Sequence, residues 1–538
     1  MITDPRGLTR RNLFASSAIA AGAGSTLMTV DEARAQGVTP RRGGTLTTIL
    51  TPEPPVLVLG VNNQGPTLVA ASKIYQGLIK LSPKLDPLPE LAASWSLSDD
   101  KLTYTIKLQP NVKWHDGRDF TAEDVVFSIM KFHMELAPRA RQVFQRITEA
   151  KAVDVTTVQF TLNAPFEPFL LMFDVTSCAI VPKHIYDGSD FRTNPANQRP
   201  IGTGPFQFVE WQRGNFVRLR RFDGYWKPGQ PYLDEIIYRI IPDSQSRRLA
   251  MQQGQAQLAQ ANDLEPFDIP QMEAAPNLEV AKTGWEAFAP LSWIEVNQRL
   301  DVLKDVRFRK AMAHAIDRNF IAQRLWFGGA KAATSPIASG TKFHDPDARL
   351  PAFDPRAANA LLDAMGLRPN AQGIRHSVKL LSLPYGEVWT RLSEYVRQAL
   401  RQVGIDVTIE STDAGGWVRR LGAWEYELTV NFVYQYGDPT LGVARTYISS
   451  NIQKIPFTNT SGYANPRVDA LFDSAAREAD PARRAQAFKE AQALVIEDQP
   501  LIWLIELLFP TVRDRKLRFP TWGGTGVHSC FDDVFLAA

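Results

Sequence analysis

The period of the hydrophobic positions changes along the chain, and each change marks an element. Gly43-Gly44 precede Thr45-Leu46-Thr47-Thr48-Ile49-Leu50, a β-branched run that predicts a first strand. Residues 102–108, 153–162, 216–222 and 236–241 read as further strands, the last two flanking a turn at Asp223-Gly224. Helical spacing takes over at Val125, Ile129, Phe132 and Leu136, behind a capping-box-like Thr121 and Asp124. Residues 244–253 predict a helix closed by Gly254. Residues 305–325 predict one long helix with Phe308, Met312, Ile316 and Phe320 on a face. Asp354-Pro355, Asn465-Pro466 and Asp480-Pro481 open helices by a cap followed by proline, and Gly366 and Gly404 close two. Residues 405–410 then read as a strand. Strands and helices mix without strict alternation, which predicts α/β lobes on mixed sheets rather than a barrel.

The first 35 residues carry a different pattern. Arg10 and Arg11 precede an uncharged stretch, 13–30, rich in Ala, Gly and Ser, and Ala33-Arg34-Ala35 has small residues spaced for signal peptidase. This is the layout of an export signal cleaved after Ala35, and the paired arginines and weak hydrophobicity point to the twin-arginine route. The stretch is too poor in large apolar residues for a permanent span.

A chain of 538 residues divides into more than one core. Sixty Lys and Arg against 57 Asp and Glu leave +3, no electrostatic footprint for nucleic acid. Cys178 and Cys530 are the only cysteines, so zinc-ribbon and dithiol-redox motifs are excluded, and one disulfide or two separate thiols remain open. There is no phosphate-binding G-x-x-x-x-G-K, no G-x-S-x-G and no H-E-x-x-H. His115 beside Asp116 offers a His–Asp pair, but adjacent side chains point apart and Asp116-Gly117 is first a turn. Gly202-Thr203-Gly204-Pro205-Phe206 reads as a tight turn entering a strand.

Several segments, in order, resemble family 5 of the bacterial extracellular solute-binding proteins, the dipeptide- and oligopeptide-binding class. They include 42–46, 75–78, Pro89-Glu90-Leu91-Ala92-Ala93-Ser94-Trp95, Val112-Lys113-Trp114-His115-Asp116-Gly117, 202–206, Asp223-Gly224-Tyr225-Trp226, 306–311 and Tyr463-Ala464-Asn465-Pro466. The resemblance implies a two-lobed periplasmic-binding-protein fold, class II-like, of mixed sheets flanked by helices. Lobe I would be 36–283 with an extra subdomain, lobe II 284–504, and 505–538 would return to lobe I. The crossings are expected near 282–285 and 503–507. It implies a periplasmic, monomeric, non-enzymatic component of an ABC importer that captures a peptide or peptide-like solute, with inner-membrane permease subunits as partners and no cofactor, metal or nucleic acid. A ligand sensor for a membrane receptor and a secreted hydrolase are the alternatives.

Carried onto this chain, the resemblance places Glu53, Phe432, Tyr434, Gln435, Tyr436 and Asp438 at the ligand, with Trp417 and Arg445 as secondary candidates. In peptide-binding relatives an acid three residues before Asp-Pro or Glu-Pro pairs with the ligand's α-amino group; here Gln435 stands at that place before Asp438-Pro439. The free-amine anchor is therefore expected to be missing.

Overall fold

A computed structural model describes residues 39–260, 263–520 and 523–537; the export signal expected at 1–35 lies outside the described residues. Numbered in chain order, lobe I begins with β1 (Thr45–Ile49) and the ribbon β2 (Ile79–Leu81) and β3 (Pro87–Pro89). An antiparallel subdomain sheet follows, β4 (Ala92–Leu97), β5 (Thr103–Leu108), β6 (Ile147–Asp154) and β7 (Thr157–Leu162), in the order β4-β5-β7-β6. The chain then supplies β8 (Phe206–Gln212), β9 (Phe216–Arg221), β10 (Glu235–Arg239), β11 (Leu258–Ala259) and β12 (Leu278–Ala281). Lobe II contains β13 (Leu291–Val296), β14 (Ala330–Ala332), β15 (His376–Leu381), β16 (Ile405–Glu410), β17 (Leu428–Val433) and β18 (Leu501–Leu507). β19 (Thr511–Asp514) returns to lobe I, where β20 (Leu517–Arg518) pairs with β21 (Phe535–Leu536). The main sheets run β12-β19-β11-β1-β10-β9-β8 and β14-β18-β13-β17-β15-β16, both mixed in direction.

The capping logic holds. Asp124 accepts the Thr121 amide at 2.9 Å, and Val125, Ile129, Phe132 and Leu136 are all buried. Asp354, Asn465 and Asp480 each cap the helix that follows, Pro355–Ala364, Pro466–Arg477 and Pro481–Asp498. Two expectations change. The strand read at 153–162 is the end of β6, a turn and β7. Asp154 accepts the Thr156 amide at 2.8 Å and reverses the chain, so Val153 and Val155 point into solvent. The helix read over 305–325 stops at Ala315, because Asp317 takes the Asn319 and Phe320 amides at 2.9 and 3.1 Å and starts a new turn. Phe320 leaves the core and stacks on Tyr395, ring centroids 4.8 Å apart.

The chain passes between the lobes twice. β12 pairs with β19 in lobe I, and β13 pairs with β18 in lobe II, both antiparallel. The crossings are therefore 282–290 and 508–510; residues 503–507 belong to β18 and are wholly buried in the second sheet. The chain's end is held to lobe I by two buried ammonium groups. Lys73 donates to the Val527 carbonyl and lies 4.0 Å from the Phe531 ring centre. Lys227 bridges Glu90 at 3.0 Å and Asp532 at 2.6 Å. Burial alone would raise the Asp532 pKa; Lys227 and Lys80 override it and hold the carboxyl below its usual range. The resulting stability is present above about pH 4 and is lost as acid protonates the group. Lys227→Met leaves Glu90 and Asp532 with only the more distant Lys80 as counter-charge, so urea denaturation is expected to show a loss of up to roughly 3–5 kcal/mol. A loss below about 1 kcal/mol would mean that solvent already screens the network.

Candidate functional site

The segment after β17 is extended, and its side chains alternate. Phe432, Tyr434 and Tyr436 are partly exposed on one face, while Val433, Gln435 and Gly437 are buried on the other. Tyr436 and Gly437 then take positive φ, 52° and 69°, which turns the chain into the Asp438 cap of the helix Pro439–Gly442. A Cβ on Gly442 would stand 2.1 Å from the Gln435 carbonyl oxygen, so only glycine allows this helix to pack beneath the segment.

The exposed face builds an aromatic wall at the crossings. Trp285, in the first crossing, meets Phe509, in the second, at 4.8 Å edge-on. Phe288 meets Tyr434 at 5.1 Å, and His528 of the C-terminal segment lies against both Trp285 and Phe288. Trp389 stacks on Phe432 at 5.3 Å, nearly parallel. Tyr436 faces the opposite lobe: the Arg139 guanidinium carbon, from the subdomain helix Pro138–Phe144, lies 3.7 Å from its ring centre, and that of Arg445 lies 5.6 Å away.

Phe432, Tyr434, Tyr436 and Arg445 thus come together, while the other candidates have different partners. Gln435 turns into lobe II: its carbonyl oxygen accepts from the Ala338 amide at 2.7 Å and the Thr341 hydroxyl at 3.1 Å, and its amide donates to Pro336 O at 2.9 Å. Asp438 is buried in a two-pronged pair with Arg484, at 2.8 and 2.9 Å. Trp417 is fully buried and donates to Thr429 at 3.0 Å. Glu53 is held by the β8–β9 hairpin, accepting from the Trp211 indole at 2.9 Å and the Gly214 amide at 3.1 Å. Sequence reasoning missed Arg139, Trp285, Phe288, Trp389, Phe509 and His528. Arg139 left no local signal, since Glu135 stands four residues before it and reads as its helical partner.

The groups with catalytic or metal-binding chemistry outside this wall are otherwise engaged. His115 Nδ1 accepts the Gly202 amide at 3.3 Å and its Nε2 meets the Gly204 carbonyl at 2.9 Å, so the neutral ring pins the 202–206 turn. Cys178 and Cys530 are free thiols. Glu90, Cys530 and Asp532 offer ligand atoms within 4.8 Å of one another, but the Lys227 ammonium already bridges the two carboxylates.

Two predictions follow from these contacts. Burial draws the pKa of His115 and His133 down to about 4 and that of His528 to about 3. Between pH 6.5 and 4 the unfolded chain therefore binds protons that the folded one does not. Stability should fall by roughly 2 kcal/mol per histidine from pH 7 to pH 5, read by denaturant titration. A flat profile would mean that these rings charge within the fold. Secondly, Gln435→Leu strips partners from the buried Ala338 amide and Pro336 carbonyl, and should cost about 1–3 kcal/mol of stability. A variant as stable as the parent but with altered ligand affinity would place Gln435 in the cleft after all.

A sequence profile of the bacterial extracellular solute-binding proteins, family 5 (middle), matches residues 86–454. The glutathione-binding protein GsiB of Escherichia coli (strain K12) is 29% identical over 448 residues, covering 81% of this chain and 83% of that one. Among solved structures, the periplasmic binding protein DppA from Helicobacter pylori, in complex with peptide STSA, matches with a TM-score of 0.81 at 24% identity, over 93% of this chain and 99% of that one. The ABC transporter substrate-binding protein CtaP from Listeria monocytogenes matches with a TM-score of 0.79 at 26% identity, over 93% of this chain and all of that one. With two lobes, two crossings and an aromatic wall between them, this chain belongs to family 5 of the bacterial extracellular solute-binding proteins, the solute-capturing components of ABC importers.

Proposed function

We propose that the chain is exported to the periplasm, acts there as a monomer, and encloses a peptide or peptide-like solute between its lobes for delivery to a membrane permease. The carrying observation is the aromatic face of Phe432, Tyr434 and Tyr436, presented by one lobe beside both crossings and closed over by a residue of the other. Aromatic walls with a few placed polar groups suit a small organic ligand, and opposed lobes on a hinge allow its enclosure. The glutathione named for one relative and the tetrapeptide bound by another support peptide-like chemistry. The Arg10-Arg11 and Ala33-Arg34-Ala35 pattern supports export.

Native mass spectrometry of protein purified from its own periplasm tests this reading. The expected result is a chain beginning at Gln36 that carries a small peptide-like ligand. Adding that ligand back to stripped protein should reduce the radius of gyration in small-angle scattering. At about 100 times its Kd it should raise stability by roughly 2.7 kcal/mol. A saturating ligand that leaves the radius unchanged would count against closure, and an intact Met1 against cleavage.

A further inference from the structure

We propose that Leu85, at the tip of the β2–β3 ribbon, is a closure latch: it seats across the cleft on Gly437 of lobe II and sets how long the closed lobes retain a solute, without touching the solute itself. This rests on the reading of the protein as two lobes that close on a peptide-like solute.

Three observations carry it. First, Leu85 is a lobe I residue at a ribbon tip, yet it is only 4% exposed and belongs to the apolar cluster that also holds Phe288 and Leu441. Its methyls fill gaps left by two glycines. A Cβ on Gly437 would stand 2.8 Å from Leu85 Cδ1, and one on Gly524, in the C-terminal segment, 2.7 Å from Leu85 Cδ2. The side chain fits because both neighbours lack one. Second, Leu85 has φ 64°, a left-handed conformation that a bulky residue keeps only where its surroundings fix it. Ser82 fixes it. Its hydroxyl accepts the Lys84 and Asp86 amides, both at 3.1 Å, and its carbonyl accepts the Leu85 amide at 2.9 Å. Third, lobe II frames the seat. The Lys342 amide donates to the Gly437 carbonyl at 3.1 Å, and the Lys342 ammonium lies 3.8 Å from Asp86, the residue after Leu85.

Parting the lobes withdraws Leu85 from Gly437 and returns apolar surface to water. The contact exists only in the closed form and includes no atom of the solute. It therefore biases closure by the same amount for every solute. It also forms after encounter, so it acts on release rather than on association. Gly437 directly follows Tyr436, so the latch bears on the segment that presents the aromatic face.

The test uses two solutes, glutathione and the peptide Ser-Thr-Ser-Ala, with calorimetry for affinity and stopped-flow fluorescence for release. Each is measured with the parent protein, Leu85→Ala, Leu85→Asn, Gly437→Ala and the double variant Leu85→Ala with Gly437→Ala. Leu85→Ala should weaken both solutes by one common factor, about tenfold, through faster release at an unchanged association rate. Leu85→Asn should do the same. Asparagine tolerates the left-handed conformation, so this variant separates lost packing from backbone strain and keeps the test standing if Leu85→Ala folds poorly. Gly437→Ala carries backbone strain of its own, at φ 69°, in either background. The further loss that its methyl causes against Leu85 should vanish in the double variant. Unequal factors for the two solutes would make Leu85 a solute contact and overturn the latch, as would release rates equal to the parent's. A parent that binds neither solute would overturn the peptide-like reading and the latch with it.

Discussion

The double passage of the chain between its lobes is the constraint on which everything else depends. β12 and β19 are hydrogen-bonded neighbours in the first sheet, β13 and β18 in the second, so both crossings leave and enter as paired strands. A single connection would let the lobes swivel freely. Two adjacent ones leave mainly a bending motion, because twisting would break pairing in one sheet or the other. The second crossing, 508–510, is short, and Leu507 donates to the Pro290 carbonyl at 2.9 Å, so the two passages are tied where they leave lobe II. Trp285 against Phe509 fills the space between them with rings that keep contact over small changes of angle.

From that hinge the polarity of the cleft follows. β17 is a central strand of lobe II, and the extended chain beyond it presents alternate side chains to the gap. Its outward residues are aromatic, and its inward residues close the loop 335–341 and the helix Pro481–Asp498 beneath. The acid and amide of this segment are thus spent on holding its shape. An Asp438–Arg484 pair removed from water is a poor source of net stability but a strong fixer of geometry, since breaking either half strands a buried charge. The cleft is left with rings and arginines.

Most of the fold was legible in the sequence where local chemistry decides. Cap-then-proline starts, glycine stops and β-branched runs placed β1, β5, β16 and the helices Pro355–Ala364, Pro466–Arg477 and Pro481–Asp498. It failed where a side chain outbid the periodic pattern, at Asp154 and Asp317, each of which captures amides two residues on. In the candidate site, the sequence reading set Phe432, Tyr434, Gln435 and Tyr436 together at the ligand, whereas the structure keeps the three rings on one face and turns Gln435 to the other. The alternation of Tyr434, Gln435 and Tyr436 already implies that the middle residue faces away from the outer two. Arg139 lies far from Tyr436 in sequence, and only the packing of one lobe on the other brings them together. No local pattern encodes such a contact.

The polar contacts between the lobes are individually weak. Asp86 reaches Lys342 at 3.8 Å with both groups well exposed, a pair of the kind that contributes about 0–1 kcal/mol. The Glu167 amide reaches the Ala476 carbonyl at 3.3 Å, and Arg391 lies 5.3 Å from the ring centre of Phe267 near the surface. Arg139 over Tyr436 adds a cation–ring attraction of order 1–2 kcal/mol, opposed by the neighbouring Arg445 charge. Beside them runs a continuous apolar contact, one buried cluster that contains Leu85 and Val527 of lobe I together with Trp285, Phe288, Leu441 and Phe509. Polar contacts this weak break and re-form at little cost, which suits lobes that part to admit a solute. A solute that touched both lobes would add contacts present only in the closed form, and a ligand shifts such an equilibrium only by that difference.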